Sequence, residues 1–158
     1  MKERKPPDAY TRALGLLSRR EHSRRELKTK LTARGVESAD ADSALDRLAE
    51  NSYQSDPRFA ELLVRSRIAQ GHGPVRIQAE LRQHGVAEDV ARLAIDAEQP
   101  DWPALALDLC RRRFRGAPAD YAERVKRANF LARRGFPPDV ARAMAGEGSD
   151  TDEVGDSI

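Results

Sequence analysis

Gly35, Gly85 and Gly135 stand fifty residues apart, and the residues around them hold the same register. Leu31, Leu81 and Leu131 precede each glycine by four positions, and Val36, Val86 and Phe136 follow by one. Ala41, Ala91 and Ala141 keep step, as do Ala44, Ala94 and Met144, and Leu14, Val64 and Phe114 extend the match upstream. One trio of glycines is weak evidence; six columns aligned without a gap are strong evidence. Self-similarity at such a period marks an array of small units. Each is too small to bury its own apolar face, so neighbours stack to complete the core.

Each repeat reads as three helices. Tyr10, Ala13, Leu14 and Leu17 follow the i, i+3, i+4, i+7 spacing of one helix face. Ser23-Arg24-Arg25-Glu26 has the form of a capping box, in which the serine accepts a first-turn amide and the glutamate reaches back. Leu27 and Leu31 make that helix's apolar stripe, and Gly35 ends it as a left-handed C′ residue. Ala41, Ala44, Leu45 and Leu48 repeat the helical spacing in a third helix. In the second repeat Asp56-Pro57 reads as an N-cap with proline at the first helical position. Phe59, Leu63 and Val64 face inward, Gly71-His72-Gly73-Pro74 breaks the chain, and Pro74 opens a helix with Ile77 and Leu81. Val90, Ala94 and Ala97 mark the next one. The third repeat offers Trp102, Leu105, Ala106 and Leu109, then Tyr121, Val125, Ala128 and Leu131, then Val140 and Met144, with Pro118 and Pro138 at helix starts. No segment shows the alternation of a strand.

These patterns predict an all-α fold of nine helices in three tandem triplets, elongated and curved. Each helix is expected to run about 12–16 residues. The expected limits are a flexible N-terminus at 1–7, repeats at 8–52, 53–99 and 100–146, and a disordered acidic tail at 147–158. Few aromatic and β-branched residues and abundant Ala, Leu, Arg and Glu agree with helices that carry charged outer faces.

The formal net charge of +2 conceals an asymmetry, because five acids lie in the last twelve residues, leaving net +7 on residues 1–146. A basic body with an acidic tail suits a polyanion or an acidic protein surface, although arginine also serves plain solubility. Within repeats, Arg24, Arg25, Lys28, Lys30 and Arg34 make the second helix basic, whereas Glu37, Asp40, Asp42, Asp46 and Glu50 make the third acidic. Residues 87–98 are acidic in the same way and 118–134 basic. Early acids and late bases follow the helix dipole, but Asp46, Glu50, Asp96 and Glu98 come late and need another cause. The pattern also argues against base reading. A helix-turn-helix would push residues 37–50 or 87–98 into the major groove, where Glu37 and Asp40 or Glu88 and Asp89 would meet phosphate.

No constellation for catalysis stands out: there is no phosphate-cradling glycine loop, cysteine pair or helical His-Glu-x-x-His. The expectation is a protein that is not an enzyme and has no cofactor, no metal and no small-molecule substrate. His22 and His72 share a repeat position, which fits capping or packing better than metal binding. Cys110, the single cysteine, cannot form an intrachain disulfide and reads as a small core residue, although Arg111-Arg112-Arg113 nearby could neutralise a thiolate. Trp102 reads as a helix-start core residue, with an interface anchor as the other reading. Asp150 to Gly155 only faintly echoes a calcium loop, since Val154 sits where an oxygen donor belongs. No apolar run approaches the roughly 20 residues of a membrane span, and the N-terminus lacks a signal-peptide core, so a cytoplasmic monomer is expected.

Arg20-Glu21-His22-Ser23-Arg24-Arg25-Glu26-Leu27, with Lys30-Leu31 and Gly35, resembles the first signature of the RecX family, R-x-x-S-x-x-E-L-x-x-K-L-x-x-x-G. A second signature is similar at Tyr53, Asp56, Phe59-Ala60, Arg67, Gly73, Ile77, Glu80-Leu81 and Gly85-Val86. Where the family usually has Gly-Tyr at the repeat junction, this chain has Ser52-Tyr53. The resemblance covers about residues 8–145. It implies stacked three-helix repeats lying along the helical groove of a RecA–DNA filament. It implies RecA as partner, mostly inhibition of its ATPase, coprotease and strand-exchange activities, and roles in recombination, repair and the SOS response. The alternative is a helical nucleic-acid-binding protein acting through a basic concave face, and weak direct contact with DNA fits either reading.

The candidate contact residues are the bases clustered on first and second helices. They are Arg24, Arg25 and Lys28 in the first repeat, Arg76 and Arg82 in the second, and Arg111, Arg112, Arg124, Lys126, Arg127, Arg133 and Arg134 in the third.

Overall fold

The computed structural model describes residues 7–147. Among the described residues there are nine helices and no strand: α1 Ala9–Leu17, α2 Arg24–Ala33, α3 Ser38–Glu50, α4 Asp56–Ala69, α5 Pro74–Gln83, α6 Glu88–Ala97, α7 Trp102–Arg113, α8 Tyr121–Arg133 and α9 Pro138–Gly146. The helices run from 9 to 14 residues; α3, α4, α7 and α8 reach the expected length and the other five fall short of it. Helices this short are marginal alone and are held by packing. The disordered tail expected at 147–158 and the flexible start at 1–7 lie outside the described residues, apart from Glu147 and Pro7.

By internal packing the chain forms two units. One comprises the residues up to Leu63 with Glu80–Ala94, the other Val64–Ala79 with the residues from Ile95 on. In the first unit Ala13, Leu27, Leu31, Ala41, Leu45 and Leu48 make the core, with Tyr10, Leu14, Leu17 and Val36 against it. Leu27, Leu45 and Leu48 are wholly buried, each stabilising the fold by about 1.5–3 kcal/mol. In the second unit Ala106, Cys110, Leu131, Phe136 and Ala141 form the core, flanked by Trp102, Leu105, Phe114, Phe130 and Met144. Trp102 lies edge-on to Phe136. The repeat columns are core columns: Leu31, Leu81 and Leu131 are buried, and so are Ala41, Ala91 and Ala141.

The caps follow the sequence in part. Ser23 Oγ accepts from Glu26 N at 3.2 Å. Glu26 does not complete the box; its carboxylate binds Arg20 at 2.5 Å and lies 3.6 Å from Lys30. The first amide of α2, that of Arg24, donates to Asp56 Oδ1 at 2.9 Å. Asp56 is accordingly not the cap of α4. Ser55 is, accepting from Arg58 N through Oγ and from Phe59 N through its carbonyl. Pro118 is not at a helix start either: Asp120 caps α8, accepting from Glu123 N at 2.9 Å. Ser52, at the junction where the family resemblance leads one to expect glycine, takes a left-handed φ of 61°.

The larger correction concerns α8. Tyr121 and Val125, read as inward, are 79% and 39% exposed, while Arg127 is 3% exposed. Its guanidinium donates to Gly116 O at 2.8 Å, Arg115 O at 3.3 Å and Glu123 at 2.7 Å. The segment over this face is a loop with carbonyls to satisfy, and a guanidinium fork does that where an apolar side chain cannot.

Candidate partner-binding surface

The predicted contact residues fall into three groups. Two are neutralised across helices: Arg24 binds Asp46 at 2.7 Å, and Lys28 binds Asp42 at 3.0 Å. These bridges clip basic α2 to acidic α3 and account for Asp46 coming late in its helix; Glu98, just past the end of α6, meets Arg65 at 2.7 Å. The groups are 29–62% exposed, so each bridge contributes under about 1 kcal/mol. Arg112 pairs with Asp108 one turn away. Arg127 is buried in the second unit and is withdrawn from the surface. Burial raises the Cys110 thiol pKa, with the Arg127 guanidinium opposing the shift, which fits a core residue.

Five of the remaining bases lie where one helix abuts another. In the second unit the turn after α8 sits on the start of α5: Gly73 N donates to Arg134 O at 2.8 Å and Val75 N to Gly135 O at 2.9 Å. Gly135, at φ +97°, lies against the backbone and Cβ of Arg76. Arg76, Arg133 and Arg134 are thereby neighbours. In the first unit the turn after α5 lies near α2, with Gly85 against the Arg25 side chain, while the Gly85 amide closes the end of α5 on Arg82 O at 3.0 Å. Arg25 therefore lies against the turn that follows Arg82. All five are solvent-accessible, and among the described residues none has a carboxylate partner within ion-pair distance. Arg111 and Arg124 are exposed on α7 and α8, and Lys126 lies 6.0 Å from the Phe114 ring.

Family models for the first, second and third three-helix domains of RecX match residues 9–48, 55–95 and 101–144. The chain belongs to the RecX family. A regulatory protein RecX from Stenotrophomonas maltophilia (strain R551-3) is 52% identical over 132 residues, covering 83% of this chain and 81% of the relative. Another from Halorhodospira halophila is 47% identical over 144 residues, covering 90% and 89%. The crystal structure of RecX from Lactobacillus salivarius shares the fold at a TM-score of 0.76 and 22% identity, over 89% of this chain and 94% of that one. A second crystal structure of a regulatory protein RecX gives the same TM-score at 26% identity, over 88% and 70%.

This RecX-family chain has two surface features that the sequence reading passed over. One is Phe114, ringed by Arg113, Lys126 and Arg127 at 5.1–6.0 Å. The other is a groove between α1 and α2 lined by bases from both helices; the Arg12–Arg19 spacing of two turns was its only trace in sequence. Among the described residues no trio of His, Cys, Asp or Glu is arranged to hold a metal ion, and no helix is long and apolar enough to cross a membrane.

Proposed function

We propose that this RecX-family protein binds RecA recombinase and RecA–DNA filaments in the cytoplasm and modulates RecA, chiefly by inhibition, without catalysing a reaction of its own. The observation that carries the reading is the match to all three RecX domains, in order, over most of the chain. Regulation by occupancy also suits a surface that carries arginines without ion pairs at two helix joints. Arg25 with Arg82, and Arg76 with Arg133 and Arg134, offer guanidinium forks to carboxylate or phosphate on a filament. Attraction of this kind speeds encounter more than it deepens affinity.

The test is binding to RecA filaments formed on single-stranded DNA, with Arg76→Glu and Arg133→Glu combined in the full chain. Both side chains are exposed, so helicity is expected to stay at the parental level. Filament affinity should fall at least tenfold and its salt dependence should flatten. Parental affinity across the salt range would remove the second-unit joint from the contact surface, and absence of filament binding by the parent itself would remove the RecA reading.

A further inference from the structure

The groove between α1 and α2 has a volume of about 640 Å³. Arg12, Arg19, Lys30 and Arg34 line it, Gly15 and Leu31 contribute to its floor, and no carboxylate is among its lining residues. None of these four bases belongs to the joint clusters. The groove has two charged ends. Arg12 and Arg34 mark one, since both also line the adjoining cavity next to Gly35 and Val36. Arg19 and Lys30 mark the other: Arg19 comes one residue after Ser18, the C-cap of α1, at the start of the connection to α2, and Lys30 Nζ lies 3.3 Å from His22 Nε2 in the same connection. Arg12 to Arg19 is two helical turns, about 10 Å. One small anion cannot reach both ends, whereas a chain of anions can.

Helix dipoles explain only part of this gathering. Arg19 and Arg34 follow the C-terminal ends of α1 and α2, where a cation is favoured. Arg12 is in the first turn of α1, the end that opposes one, and it is held there by Nε donating to Pro7 O at 3.1 Å. Lys30 is shared with Glu26 at 3.6 Å. Among the described residues Arg12, Arg19 and Arg34 form no ion pair. Gly15 is exposed within α1, and a Cβ built on it meets nothing within 4 Å, which leaves the middle of the groove open and uncharged.

We propose that the α1–α2 groove binds the backbone of a single strand of nucleic acid, with phosphates at the Arg12–Arg34 and Arg19–Lys30 ends and sugar over the Gly15–Leu31 floor. The site goes beyond the RecA reading and does not depend on it. Paired cations separated along an open, partly apolar channel match a strand that alternates phosphate with sugar. A compact multivalent anion would instead need its cations converged on one point.

The experiment is fluorescence anisotropy of a labelled short oligothymidylate with the full chain and no RecA. Arg19→Glu with Arg34→Glu, two side chains without ion pairs to lose, should weaken binding at least tenfold and flatten the logarithmic salt dependence by about 1.4, from about 0.7 per phosphate contact on a single strand. Gly15→Phe fills the groove without changing charge and should also weaken binding at least tenfold, with unfolding midpoints reported for both variants. Parental affinity in Gly15→Phe, even with weakening in the charge variant, would mean diffuse attraction and overturn the groove as the site. Equal competition by poly-glutamate of matched charge would overturn the assignment to nucleic acid. Arg92→Glu with Arg142→Glu, two exposed sites outside the groove and the candidate contact residues, should leave oligothymidylate affinity within twofold, and a loss as large as that of the groove variant would also overturn the proposal.

Discussion

Replacing Gly73 by alanine tests how closely the helix joints are built. Gly73 precedes α5 and has no left-handed φ, so alanine can take its backbone conformation. The Cβ is the whole perturbation: it would collide with the carbonyl of Gly135 and stand 2.6 Å from Phe136 N. To reach ordinary contact, the turn after α8 must withdraw by about 1 Å. That carries the bonds from Gly73 N to Arg134 O and Val75 N to Gly135 O, now 2.8 and 2.9 Å, beyond hydrogen-bonding range. Two lost bonds cost about 1 kcal/mol each, and overpacking adds about 1–3 kcal/mol. The expected loss is roughly 3–5 kcal/mol, a large share of the about 5–15 kcal/mol that holds a domain together. Urea unfolding followed by far-ultraviolet circular dichroism measures it. Gly15→Ala is the control. Its Cβ meets nothing and its site is exposed and helical, so it should gain about 0.5–1 kcal/mol. A Gly73→Ala protein within about 0.5 kcal/mol of the parent would refute the close-packed joint.

Arg127→Ala should destabilise by about 3 kcal/mol, because it removes a buried side chain together with its bonds to the Arg115 and Gly116 carbonyls and to Glu123; Arg124→Glu, on the exposed side of α8, should leave the unfolding midpoint unchanged in a parallel melt. Stability should fall as pH drops below about 6.5. Burial lowers the folded-state pKa of His22, aided by Arg20 and Lys30, while its Nδ1 bonds to Arg20 O, so the unfolded chain takes up a proton the folded chain refuses. Below about 4.5 a second loss follows, because the Ala119 amide and Arg127 hold Glu123 below its ordinary pKa, and Arg20 holds Glu26 below its own against the opposing effect of burial. Melts at stepped pH check both windows; His22→Gln should flatten the first, and stability that stays level from pH 6.5 to 5.5 in the parent would contradict it.

The helices were legible because their signals are local. Gly35, Gly85 and Gly135 could be read as left-handed helix ends, and all three have φ between +75° and +97°. Their second role could not be read. Gly85 and Gly135 abut another helix, whereas the same construction at Gly35 meets nothing, a difference of tertiary position that the same residue at the same register cannot encode. Periodicity failed on α8 for a related reason. It locates a stripe but not what covers it, and the loop over this face calls for the Arg127 fork rather than Val125. The candidate surface was half legible. Charge by helix was correct in sequence, but the pairing of Arg24 and Lys28 with α3 and the meeting of Arg76 with Arg133 depend on packing.

The central claim is that this chain controls RecA by binding it. The most direct measurement is ATP hydrolysis by RecA of the same organism on single-stranded DNA, titrated with the full-length protein. The account predicts a dose-dependent fall in hydrolysis. Inhibition well below one molecule per RecA would point to blocked filament growth, and inhibition at near-equal amounts to coating of the filament. Unchanged hydrolysis up to excess protein, with filament formation verified, would contradict it.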